Sequence, residues 1–153
     1  MVTLINKVEW DTSLETGIEV VDEQHRQYFV LLNNYLEKAF ESLVDGDEFF
    51  DLLEKLDFLR QYAREHFATE ELLMQEAGFP GFEAHRWEHQ YFEHHVGELF
   101  EQLKTGGFSL ELAHDVNYYI IEWFVEHIRQ VDMELVGFLH DKAGRDGVLS
   151  ALL

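Results

Sequence analysis

Four stretches of the chain place apolar residues three or four positions apart, the spacing that lines one face of a helix. The first gives His25, Phe29, Leu32, Leu36, Ala39 and Leu43. The second gives Leu52, Leu56, Leu59, Ala63, His66, Glu70, Leu73 and Ala77. The third gives Phe82, His85, His89, Phe92, Val96, Leu99 and Leu103. The fourth gives Ala113, Val116, Ile120, Phe124, His127 and Val131, with Asp132 one residue beyond. The pattern predicts helices over roughly 22–43, 48–77, 82–104 and 109–136.

The turn signals agree. Asp22 is a candidate N-cap for the first helix, Asp47 for the second and Ser109 for the fourth. Val44-Asp45-Gly46-Asp47, Ala77-Gly78-Phe79-Pro80-Gly81 and Gly106-Gly107 break the helical pattern. Residues 1–20 read as an irregular arm. Short connections favour antiparallel neighbours. The expected fold is all-α, an antiparallel up-down-up-down four-helix bundle. It has an N-terminal arm and a short C-terminal extension, with one domain over 1–136 and the extension over 137–153.

The informative feature is where the apolar stripes fail. Each carries ionisable groups at an inward position: His25; His66 and Glu70; His85 and His89; His127 with Asp132. In an antiparallel bundle the starts of the first and third helices lie level with the ends of the second and fourth. All seven groups therefore meet at one end of the interior. Residues four apart are offset by only about 40° around a helix, so each of the pairs His66/Glu70 and His85/His89 can face one centre. His127 and Asp132 are five apart, about 140° off on a regular α-helix. A local π turn would bring them together.

Composition narrows the chemistry. The chain has 153 residues, no cysteine and nine histidines. Disulfides, thiolate metal sites and cysteine nucleophiles are thereby excluded. With 11 Lys+Arg against 31 Asp+Glu the net charge is −20, which opposes binding to nucleic acid or anionic lipid. No apolar run is long enough to span a bilayer, and no signal peptide is evident. The expected setting is the cytoplasm and the expected state a monomer.

Burying seven polar groups without partners would cost roughly 1–3 kcal/mol each, and more for a bare carboxylate. A hydrogen-bonded network of imidazolium and carboxylate is one solution. A metal site is the other, and the matched height of the groups favours it. Five imidazoles and two carboxylates are too many for one tetrahedral zinc ion. They suit two ions sharing the carboxylates, with iron, manganese and zinc all compatible. The ferritin-like di-iron pattern wants two Glu-x-x-His motifs. Here the one such motif, Glu111 to His114, lies away from the cluster.

The ordered set resembles the hemerythrin family, most nearly its single-domain bacterial members. The matching pieces are Gly17-Ile18 with Asp22-Glu23-Gln24-His25, then His66-Phe67-Ala68-Thr69-Glu70-Glu71 with Met74. Phe79-Pro80, His85-x-x-x-His89-x-x-Phe92 and His127-Ile128 with Asp132 follow. The resemblance implies a non-haem di-iron centre with a bridging oxo or hydroxo group. It implies His85, His89 and His127 on one iron, His25 and His66 on the other, and Glu70 and Asp132 bridging. It also implies that dioxygen is the partner, bound reversibly at the second iron for storage, buffering or delivery, without catalysis. An oxygen or redox sensor, or a di-iron enzyme acting on peroxide or nitric oxide, is the alternative. Trp123, Phe124 and Phe29 are candidates to line the pocket, and Phe124 stands where the family often has leucine. His94, His95, His114 and His140 are expected outside the ligand set, and Glu71 in solvent.

Overall fold

The computed structural model describes residues 7–45 and 49–146. The cap expected at Asp47 and the apolar run 148–153 lie outside the described residues. Three helices run Glu19–Asp45 (α1), Phe49–Ala77 (α2) and Phe82–Gly106 (α3). A fourth rod, α4, is continuous through Leu110–Val116, Asn117–Glu122, Trp123–Glu126, His127–Asp132 and Met133–Asp146. The stretches Asn117–Glu122 and His127–Asp132 are π-helical, and the residues at each joint keep right-handed helical dihedrals. α1 packs on α2, α2 on α3, and α3 on α4. The molecule is an all-α four-helix bundle, with no strand among the described residues.

Local chemistry sets the helix ends. Ser109 accepts a hydrogen bond from the Leu112 backbone N–H, the cap expected of it. α2 ends at Gly78, whose φ of +68° only glycine adopts cheaply. The Phe79 amide then reaches back to the Met74 carbonyl at 2.9 Å, closing the helix as a Schellman turn before Pro80.

Two expectations about ends need correction. α1 begins at Glu19, so Asp22 lies inside its first turn rather than capping it. The Asp22 carboxylate instead accepts from the backbone N–H groups of Thr16 and Gly17 and from the Thr16 hydroxyl. Those donors precede the helix, and of them the Thr16 hydroxyl also reaches the Ile18 carbonyl at 3.5 Å. The fourth helix also runs ten residues past Val136, to Asp146. Leu139 there is buried, and Phe138 and Ala143 pack beside it on the same apolar cluster, so the helix continues.

The buried apolar residues form two clusters. The larger runs along the bundle from Leu14 and Tyr28 to Leu99 and Leu103. The smaller gathers Ile18, Val21, Leu73, Met74, Ala77, Leu135, Val136 and Leu139 at one end. Between them lies a layer of imidazoles and carboxylates. An apolar core on either side separates this layer from water.

Candidate metal centre

His25, His66, Glu70, His85, His89, His127 and Asp132 all reach this layer, and none is more than 3% exposed. α1 contributes His25, α2 contributes His66 and Glu70, α3 contributes His85 and His89, and α4 contributes the remaining two. Asp132 reaches the layer because the turn His127–Asp132 is π-helical, as the five-residue step requires. His127 Nε2 and Asp132 Oδ1 are 3.0 Å apart. Val131, which the regular stripe places inside, is only half-buried because the wide turn gives its place to Asp132.

The donors form two overlapping groups. Glu70, His85, His89, His127 and Asp132 each bring one ligand atom within 4.8 Å of the others, and His25, His66, Glu70 and Asp132 do the same. The two carboxylates belong to both, and their oxygens divide between them. Asp132 Oδ1 faces His85 at 3.1 Å while Oδ2 faces His25 at 3.2 Å. Glu70 Oε2 faces His89 at 3.1 Å while Oε1 faces His66 at 3.1 Å.

These separations fit an ion better than a hydrogen-bond network. Donors bound side by side on an octahedral ion, with bonds of about 2.1 Å, stand about 3.0 Å apart. Hydrogen bonds of the same length need aligned N–H groups. Glu70 Oε1, both Asp132 oxygens, and the Nε2 atoms of His85 and His127 have no hydrogen-bond partner. Orphaned buried acceptors at this density call for a cation.

Electrostatics without an ion shows what the cation replaces. Burial opposes charging His25, but the Asp132 and Glu70 carboxylates outweigh it and hold its pKa up at about 9. His85 is raised to about 9 by the same contest. His66 is pushed down by burial, although Glu70 beside it pulls the other way. Burial also works against the charge on Glu70, and His66 and its neighbours overcome it, leaving its pKa well below the usual carboxylate range. Asp132 is lowered too, since His127 and His25 outweigh both burial and the repulsion of Glu70. His25 Nε2 lies 2.9 Å from His66 Nε2, so a proton on His25 is shared with the neutral His66. Protons thus take the place of cations in the ion-free site.

Two residues orient histidines of the cluster from behind, and sequence reading placed neither there. The Nδ1–H of His66 donates to Gln24 Oε1 at 2.8 Å, and that of His89 donates to Glu71 at 2.9 Å. Each bond turns an Nε2 lone pair inward. Glu71 is therefore half-buried against His89, not solvated as expected. Both adjoin a ligand in sequence, but each serves a ligand on the next helix, which sequence adjacency does not reveal.

The aromatic candidates separate. Phe124 is fully buried, with ring centroids 5.9 Å from His25 and 6.2 Å from His66. Phe29 packs behind it at 6.4 Å. Trp123 is half-buried on the other side and stacks on His127 at 4.7 Å. His94, His114 and His140 are exposed, and His95 is half-buried between tyrosines.

Residues 16–139 match the hemerythrin HHE cation binding domain. The bacteriohemerythrin of Stenotrophomonas maltophilia (strain R551-3) is 32% identical over 123 residues, covering 80% of this chain and 75% of that protein. The myohemerythrin of Sipunculus nudus is 26% identical over 130 residues, covering 85% and 92%. A crystal structure of wild-type hemerythrin shares the fold with a TM-score of 0.73 at 24% identity, covering 86% of this chain and 97% of that one.

Proposed function

Because the chain belongs to the hemerythrin family, it is an oxygen-binding protein with a non-haem di-iron centre rather than an enzyme, and we propose that its seven buried donors divide the two irons unequally. His85, His89 and His127 would hold one iron and His25 and His66 the other, with Glu70 and Asp132 offering an oxygen to each; an oxo or hydroxo group would complete the pair. The observation that carries this reading is the division of each carboxylate's oxygens between the two groups of histidines.

When bound, the irons supply electrons that pass to dioxygen on uptake and return on release. The donor list makes the site asymmetric. Three imidazoles, two carboxylate oxygens and the bridging group make six donors, whereas two imidazoles with the same bridges make five. The two-imidazole side is the one with room for a gas. Phe124 stands against His25 and His66, on that side. Its ring excludes water and stray protons, which discourages departure of a charged reduced species. Gln24 and Glu71 fix the outer nitrogens of His66 and His89, so no ligand must reorient when the gas enters or leaves.

The reading extends to storage, buffering or delivery by a cytoplasmic monomer. The net charge of −20 supports independence from nucleic acid and anionic lipid. The test is a visible spectrum of ferrous-loaded protein of known metal content. The expected result is an absorbing form in air that bleaches under vacuum over repeated cycles. Irreversible oxidation in the first cycle would assign the chain to sensing or oxidative chemistry. Phe124→Leu is expected to change the oxygen-release or autoxidation rate several-fold, by stopped-flow absorbance, at unchanged iron content. Equal rates would remove Phe124 from control of the pocket.

A further inference from the structure

The rings around the centre are not distributed at random. Phe124 and Phe29 stand on the two-imidazole side and Phe67 stacks on His89, and phenylalanine is harder to oxidise than tryptophan or tyrosine. Behind His127 the rings change to tryptophan and tyrosine. Trp123 stacks on His127 with centroids 4.7 Å apart and planes 15° apart. Tyr91 stacks on Trp123 at 6.3 Å. From Tyr91 one branch reaches Trp87 at 5.6 Å, and Trp87 is 59% exposed. A second passes through His95 at 4.3 Å and Tyr119 at 4.4 Å to Tyr118 at 4.9 Å, which is 52% exposed. Every step is within ring-contact range. We propose that this file of rings is an exit path for oxidising equivalents, carrying them from the iron centre to the surface when peroxide attacks it.

The surroundings of the other oxidisable rings near the centre disfavour them. Trp10 also approaches a ligand, with its ring 6.2 Å from His25. The Arg26 guanidinium lies 5.3 Å over the Trp10 ring and opposes a positive charge there. Tyr28 stacks on Phe124, but its hydroxyl is buried with no partner, so its proton has nowhere to go on oxidation. Tyr91 is half-buried and can release a proton to water. The chain has no cysteine to absorb the damage instead.

The electrons balance with hydrogen peroxide as the oxidant. Its O–O bond would break on taking two electrons in all, leaving two hydroxide ions: the ferrous centre would give one, and the Trp123 indole the other through the His127 ring on which it stacks. Tyr91 refills the indole and loses its phenolic proton to solvent. A small thiol in solution ends the sequence by giving a hydrogen atom to the phenoxyl oxygen, and without it the path leaves oxidised rings at the surface. This is damage control in single events, distinct from catalytic turnover.

The path rests on the di-iron reading, and metal analysis before peroxide is added separates the two. Ferrous-loaded protein is mixed with hydrogen peroxide without thiol, freeze-quenched for electron paramagnetic resonance, and mapped for oxidised residues by peptide mass spectrometry. The expected result is an organic radical and modification concentrated at Trp87, Tyr91 and Tyr118. Trp123→Phe should lower modification at all three several-fold and raise it at the ligand histidines. Tyr91→Phe, which leaves the ring shape intact, should lower it at Trp87 and Tyr118 and raise it at Trp123. Unchanged modification of Trp87 in an iron-loaded variant overturns the path. So does the same pattern in iron-free protein given the same peroxide, which would mean attack from solvent. Failure of the wild-type chain to take up iron overturns the di-iron reading along with it.

Discussion

Asp132→Ala is expected to abolish both iron sites at once, and Glu70→Ala to do the same. Each carboxylate presents one oxygen to each group of histidines: Asp132 to His85 and His25, Glu70 to His89 and His66. Removing either takes a donor from both ions and a negative charge from a site that needs it. Loss of a residue that merely orients a ligand already costs about 10- to 100-fold in metal affinity. Loss of a shared ligand should exceed that, so iron content should fall from two per chain to a trace. The imidazoles left behind keep one carboxylate between them, so the variants should remain helical by circular dichroism. A variant that still holds two irons with the wild-type spectrum would remove the bridging role. His140→Ala, at an exposed position, serves as the control that keeps both.

The seven positions were legible because burial makes polar residues conspicuous. His66 and Glu70 interrupt a stripe otherwise made of Leu52, Leu56, Leu59, Ala63, Leu73 and Ala77, all of them buried. The antiparallel register then fixes their common height. Even the π turn at His127–Asp132 could be anticipated, because two inward-facing groups five residues apart demand it. The π stretch Asn117–Glu122 could not, since no pair of polar residues there advertises the wider turn. Contacts that cross between helices from half-exposed positions were also beyond reach. Glu71 looks like one more surface acid until α3 brings His89 beside it. The same reason hid the continuation of α4, whose Phe138, Leu139 and Ala143 have a purpose only once the cluster of Ile18, Val21 and Met74 is in place.

Removing iron should reverse the pH dependence of stability. In the ion-free protein His25 and His85 have pKa values of about 9 against an unfolded value of 6.5. A raised pKa stabilises the fold fully below 6.5, and the contribution is lost as pH climbs through 9. Glu70 and Asp132 are lowered from 4.5 and 3.8, so their contribution is present above those values and lost in acid. His66, held down by burial, resists protonation in the fold and so weakens it below 6.5; ion-free protein should therefore be most stable near pH 6.5 and weaken toward pH 9. Raising one imidazole from 6.5 to about 9 corresponds to about 3 kcal/mol. His25 and His85 draw on the same two carboxylates, so their contributions do not simply add. Iron changes the sign. Imidazole binds metal only when neutral, so raising the pH through the same window removes competing protons and tightens the site. Urea unfolding of iron-free and iron-loaded protein at pH 6.5 and 9 reads both slopes directly. Ion-free stability that holds level or rises across that window would show that protons do not stand in for the metal.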